Sequence, residues 1–297
     1  MGSVHYFLGF EVLRDSTAIY LNRSKYIQDL LVKTNMLGAN SQPTPMCTTA
    51  KLSLNSGTPL ADPSQYRNVI GALQYLLMTR PDIAFAVNKL SQYLKAPTTD
   101  HWGACKRILR YLFGTTNLGL TFTAFTHFNL QGYSDADWAG CSDDRKSTTG
   151  YCMYLRNNLV SWCSKKQSVI ARSSTESEYR ALALAASEMV WLESILNELS
   201  IPTATTPILW CDNLGAGSLT SNPVYHARTK HIEIDVHFVR NRVLDKKLDV
   251  RYVDSTYQIA DLLTKPLHNP QFNYLRVKLT LKPNECNLRG DVRDSLD

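Results

Sequence analysis

The chain has 297 residues, is 44% apolar and 20% charged, and carries a formal net charge of +6. This composition suits a globular protein with a sizeable core, in two domains or one large one. It excludes a membrane-spanning helix, because no run of about 18 apolar residues occurs. The N-terminus Met1-Gly2-Ser3-Val4-His5-Tyr6 lacks the charged and apolar regions of a signal peptide, and residue 6 is not the Ser or Thr that myristoylation needs. The 7 cysteines are scattered, with no Cys-x-x-Cys pair. They point to a reduced intracellular protein without a zinc knuckle. Charge is uneven: residues 1–123 carry a net +6, 124–267 a net −1, and those from 268 a net +1. A basic half joined to a half with clustered acids suits a polyanion held near a metal-charged site, although +6 on this length is also an ordinary balance.

Residues 4–13 read as a strand, Asp15-Ser16 as a turn, and 18–21 as the strand that pairs back. Ser24 is expected to cap a helix ending at Gly38. A strand so close to Met1 suggests that a preceding part is missing. Residues 39–63, rich in Ser, Thr, Pro, Asn and Gly, read as a linker or long loop. Three helices follow at about 64–78, 82–95 and 99–113, punctuated by Arg80-Pro81 and Ala96-Pro97. In the third, Lys106, Arg107 and Arg110 cluster beside an apolar face and are candidate phosphate contacts, or simply a solvated face. From Leu120 the pattern changes. Strands are predicted at about 127–136, 149–156 and 159–163, the last with an extension at 167–171. Then come a helix at 175–199, a strand at 207–211, helices near 213–220 and 230–243, a strand at 248–253, and a helix from about 257. That order implies an α/β fold with a mixed sheet. The tail beyond Pro270 has weak periodicity and is expected to be partly loose.

Four acids stand out. At 100° per residue, Leu182, Ala185, Met189, Leu192 and Leu196 all fall within about 40° of Glu178. Glu178 therefore lies on the buried stripe, where a carboxylate is costly unless paired or bound to metal. Glu176 falls on the opposite face, and Ser173-x-x-Glu176 forms a capping box. Thr175-x-x-Glu178 is also a capping box, which gives Glu178 an ordinary alternative role. Asp135 lies in a strand interior, where acids are depleted. Asp137 shares its face, so spacing does not choose between them. Asp212 follows the apolar run Pro207–Cys211, a common site position and a common helix cap. Asp261 sits one turn into the last predicted helix, where pairing with the helix dipole is the simple alternative. The separations of 43, 34 and 49 residues mean little singly. Combined with the strand–helix–strand–helix order they suggest a cage for divalent metal. Histidines 226, 231 and 237 match no zinc spacing, and packing roles are expected for them.

The motifs around these acids are Tyr133-Ser134-Asp135-Ala136-Asp137-Trp138-Ala139-Gly140, Asp144-Arg145-Lys146-Ser147-Thr148-Thr149-Gly150-Tyr151, Ser174-Thr175-Glu176-Ser177-Glu178-Tyr179, Cys211-Asp212-Asn213, His226 to Asp235, and Ile259-Ala260-Asp261-Leu262-Leu263-Thr264-Lys265-Pro266-Leu267. Over 125–267 the chain resembles the ribonuclease H domain of copia-type LTR retrotransposon Pol polyproteins. Residues 4–117 resemble the end of that family's reverse transcriptase and its connecting helices. The resemblance implies a ribonuclease H-like fold: a mixed five-stranded sheet with flanking helices, preceded by a truncated reverse-transcriptase palm hairpin and a helical connecting region. The implied division is 1–40, 41–120, 125–267 and a tail at 268–297. The implied activity is hydrolysis of RNA in an RNA–DNA hybrid by two Mg²⁺ ions, with Mn²⁺ as a substitute, held by Asp135, Glu178, Asp212 and Asp261. Asp135 would bridge the ions. Asp137 and Glu176 are the alternatives at their sites. Arg145 and Asn213 join Lys106, Arg107 and Arg110 as expected nucleic-acid contacts. The expected partners are the hybrid and other parts of a Pol polyprotein, with no membrane. The expected location is the cytoplasm, in a virus-like particle if the element is active.

Two departures qualify this. The loop before the last acid, Tyr252 to Gln258, has no His, although many ribonucleases H carry one there. The Tyr-x-Asp-Asp polymerase signature is also absent. Cys141-Ser142-Asp143-Asp144 contains the acid pair but reads as a hairpin turn, so no polymerase activity is expected; primer extension by the pure protein would refute this. A catalytically silent nucleic-acid-binding remnant is the competing reading. An integrase is disfavoured, because its acids run Asp, Asp, Glu.

Overall fold

The computed structural model describes residues 6–283 apart from 8, 202, 204 and 222–231. Its strands form two five-stranded sheets. The first joins β1 (Tyr6–Phe7), β2 (Phe10–Arg14), β3 (Ala18–Asn22), β4 (Leu118–Thr123) and β10 (Leu281–Pro283), in that order and antiparallel throughout. The second has the order β7 (Asn158–Lys166), β6 (Thr148–Leu155), β5 (Leu130–Asp137), β8 (Ile208–Cys211), β9 (Asp249–Tyr252). Within it β5–β6–β7 are antiparallel, while β8 and β9 run parallel to β5. This is the mixed sheet of a ribonuclease H-like fold, as expected.

Helices α1 (Ser24–Lys33), α2 (Ser64–Leu76), α3 (Ala84–Ser91) and α4 (Thr99–Phe113) precede the second sheet. α5 (Ser174–Glu198), α6 (Leu214–Ser221) and α7 (Glu233–Leu244) belong to it, and α8 (Asn269–Lys278) follows. Alternation along β6 divides its side chains between two cores. Tyr151 and Met153 pack with Tyr179, Leu182, Met189 and Val236 of α5 and α7. Cys152 and Tyr154 join a larger core with α1–α4, with Phe272 and Leu275 of α8, and with Leu279 just after it. The second sheet is therefore covered on both faces, and the helical region supplies one of the covers.

A fully buried ion pair holds that cover together. Arg80 Nε and Nη2 donate to the two Asp82 oxygens at 2.9 and 2.7 Å, and Arg80 Nη1 donates to the Thr115 carbonyl. Tyr111 Oη also donates to Asp82, at 2.5 Å. Every polar atom of the Asp82 carboxylate thus has a partner, the condition under which a buried charge is tolerated.

Several elements differ from the sequence expectations. Ser24 is the first helical residue of α1, and its hydroxyl donates to the Thr116 carbonyl instead of capping. The helix expected over 82–95 begins as a 3-10 turn, Pro81–Ile83. Residues 167–171 do not extend β7. The last predicted helix is a 3-10 turn, Ile259–Leu263. The region after Pro270 is ordered at least to Pro283: α8 packs by Phe272 and Leu275, and β10 pairs with β4. A short helix with two buried anchors gives little periodic signal. β4 and β10 went unpredicted because each is completed by a partner far along the chain. Residues 142–144 form the turn expected of them. Histidines 226 and 231, the start of the helix expected over 230–243 and the chain beyond 283 lie outside the described residues. His237 is half-exposed, 3.9 Å from Glu233.

Candidate active site

Parallel pairing places Ser134 beside Cys211, so the next residues, Asp135 inside β5 and Asp212 just past the end of β8, are neighbours near the carboxyl ends of the two strands. Ligands gather at such carboxyl ends. On the other side Asp135 is in register with Gly150 of β6. A Cβ at Gly150 would lie 2.7 Å from Thr264 Cγ2 and 2.8 Å from Leu263 Cβ. The missing side chain is what lets the 3-10 turn, with Asp261, press against Asp135. Gln258 fastens this turn. Its Oε1 accepts the Ala260 N–H at 3.3 Å, and its Nε2 donates to the Ser134 carbonyl at 3.0 Å and to Asp212 Oδ1 at 3.5 Å.

Asp135, Asp212 and Asp261 each offer an oxygen within 4.8 Å of the others. Glu178, Cys211 and Asp212 form a second group of the same size. Asp212 is the member common to both, whereas the resemblance assigns the shared position to Asp135. Cys211 is an unsuitable ligand for a hard ion: burial holds its thiol protonated, well above the usual range, and oxygen donors suit Mg²⁺. The four carboxylates fit a divalent metal on a specific observation. Glu178 is 7% exposed, and its Oε2 has no hydrogen-bond partner. An orphaned buried carboxylate oxygen is costly unless a cation meets it.

The electrostatics show the same crowding. Burial raises the Glu178 carboxyl to about 10, and repulsion from Asp135 and Asp212 adds to it. Burial, then Asp135, raises Asp261 to about 7. Asp135 is raised chiefly by burial, opposed by Lys265 and by the Thr264 hydroxyl, which donates to its Oδ2. Lys265 Nζ lies 2.9 Å from Asp261 Oδ1 and 3.7 Å from Asp135 Oδ2. Ser255 Oγ donates to Asp212 at 3.2 Å.

The alternatives at two sites separate in the structure. Asp137 shares the Asp135 face, but its carboxylate lies over Gly140. Glu176, placed by periodicity on the face of α5 opposite Glu178, is buried at 9% exposure. It caps locally, accepting the Arg172 N–H and pairing with Arg180 at 3.0 Å. Ser173 Oγ accepts the Glu176 N–H, so the cap forms without the reciprocal contact of a full box. Among the basic candidates, Arg145 is exposed on the β5–β6 turn. Asn213 caps α6, its Oδ1 accepting the Ala216 N–H. Arg107 spends its donors on Gln42 and on the Thr44 carbonyl and hydroxyl, tying down the 42–44 loop. Lys106 lies over the Trp102 ring. Arg110 lines a shallow cleft with Lys51 and Arg107. These three serve the helical region, and the structure does not bring them to the acids. Sequence reasoning missed Gln258, Thr264, Lys265 and Gly150. Two signals were present: the Asp261–Lys265 spacing of four, and a glycine inside a strand.

No family model matches the chain. The retrovirus-related Pol polyprotein from transposon RE2 of Arabidopsis thaliana is 50% identical over 276 residues, covering 93% of this chain and 19% of that protein. The chain belongs to the copia-type retrotransposon Pol family. The Pol polyprotein from transposon TNT 1-94 of Nicotiana tabacum is 36% identical over 293 residues, 96% of this chain and 22% of that protein. The chain thus spans about a fifth of the length of these Pol relatives. Among solved structures, LC11-RNase H1 from compost covers 49% of this chain and 96% of its own, at 12% identity and a TM-score of 0.36. The fold of this Pol chain stands on its strand order, not on that likeness.

Proposed function

We propose that this chain is a Mg²⁺-dependent ribonuclease acting on the RNA strand of RNA–DNA hybrids. The observation that carries the reading is the meeting of two overlapping groups, Asp135 with Asp212 and Asp261, and Glu178 with Asp212, from within β5, the end of β8, α5 and a 3-10 turn, with one Glu178 oxygen buried and unpartnered. The four carboxylates would hold two divalent ions, which supply a metal-activated water and stabilise the leaving oxygen. The protein's part is to fix the carboxylates before substrate arrives. Gln258 clamps the turn to β5, Thr264 orients Asp135, and Gly150 permits the approach. Arg145, exposed on the turn that follows β5, is the proposed contact for the nucleic-acid backbone. Discrimination of hybrid from DNA duplex would rest on 2′-hydroxyl contacts and groove shape. The resemblance of residues 125–267 to the family's ribonuclease H domain supports the substrate class. The test is cleavage of an end-labelled RNA–DNA hybrid in Mg²⁺. The expected result is endonucleolytic cutting of the RNA strand that Asp135→Asn abolishes. Cutting no greater than that of the variant would overturn the proposal.

A further inference from the structure

Lys265 presents a conflict within the site. It is the one cation that the described ion pairs place on Asp135 or Asp261, at 3.7 and 2.9 Å. Its side chain is 35% exposed, so it reaches the acids from the surface. Its backbone N–H donates to the Asp261 carbonyl at 3.2 Å, which fixes its Cα on the turn. The ammonium pairs with Asp261 Oδ1, and it crowds two of the carboxylates that would converge on a metal ion. An ammonium and a divalent ion sharing one carboxylate at such distances repel strongly.

We propose that Lys265 is a built-in competitor for the metal position: its ammonium holds Asp135 and Asp261 together and must release Asp261 when a divalent ion binds there. It is a positioning residue that sets the ion affinity of the site. The inference rests on reading the four acids as metal ligands, but not on the chain cutting RNA.

Two measurements test it on the full chain. The first is Mn²⁺ binding followed by the electron paramagnetic resonance signal of the free ion. Lys265→Met should bind about tenfold more tightly than wild type, because a repelling charge is gone. Lys265→Arg, which keeps the charge, should stay near wild type. Unchanged or weaker binding by a folded Lys265→Met protein would overturn the inference. The second measurement needs no variant. Lysine acetylation by acetic anhydride, read by mass spectrometry, should be faster at Lys265 with Mn²⁺ than without, as the ammonium moves outward. An equal or slower rate would also overturn it. The underlying reading fails separately: wild-type protein that binds no Mn²⁺, or an Asp135→Asn variant that binds it equally well, removes the metal site itself.

Discussion

Glu178 shows how a single side chain can cost stability and still be retained. Its carboxyl is raised to about 10 and that of Asp261 to about 7. A raised folded-state value means that folding favours the protonated acid. The stabilisation is complete below the unfolded value of about 4.3, and it is lost as pH rises through the folded value. In chelator, the melting temperature should therefore fall as pH rises from about 5 to 9. Glu178→Gln should flatten that decline, and Mg²⁺ should do so in the wild type. Thermal melts across this range check the prediction, and a slope indifferent to both changes would contradict it. Asp82 makes the opposite case, a buried acid with every partner in place. Asp82→Ala would leave Arg80 charged in the core with only its Thr115 hydrogen bonds, at a cost of about 3–5 kcal/mol. Urea denaturation would measure it.

At the scale of elements, the site depends on how closely the 3-10 turn approaches β6. Gly150→Val would put carbon where Thr264 and Leu263 now sit and push Asp261 outward. Overpacking of this kind costs about 1–3 kcal/mol, and here it should also weaken Mn²⁺ binding. Normal binding by a destabilised variant would show that the turn can shift without carrying Asp261. The elements that sequence reveals are those whose pattern is local. β5, β6, β7 and α5 were legible from alternation and from the 3.6-residue stripe, and Glu178 was placed on that stripe correctly. Glu176 falls off that stripe and is buried all the same, because the Arg172 N–H and the Arg180 guanidinium hold its carboxylate at the start of the helix, contacts that periodicity does not record. Lys265 and Gln258 were missed for a related reason. Their contacts with Asp135 and Ser134 span more than a hundred residues, and only the Asp261–Lys265 spacing leaves a local trace of the meeting.

The whole molecule is held by contacts between its early and late segments. α8 and the residue after it bury Phe272, Leu275 and Leu279 in the core shared with α1–α4 and the second sheet. Burying side chains of this kind is worth about 1.5–3 kcal/mol each. Truncation after Leu267 should therefore lower the melting temperature of the whole chain and not only fray its end. A truncated protein that melts like the full chain would refute this. Net charge also acts at this scale: hybrid affinity should fall as salt rises, through counterion release. A filter-binding titration over a range of KCl would show it.

β10 lies against β4, so the strand after α8 returns to the sheet that the first residues began. The second sheet with its acids is consequently an insertion within the first body, and not a bead strung after it. A protease that cut once in a loop between β4 and β10 would nick the backbone without freeing either body. The two halves would still co-elute on a sizing column and part only in denaturant.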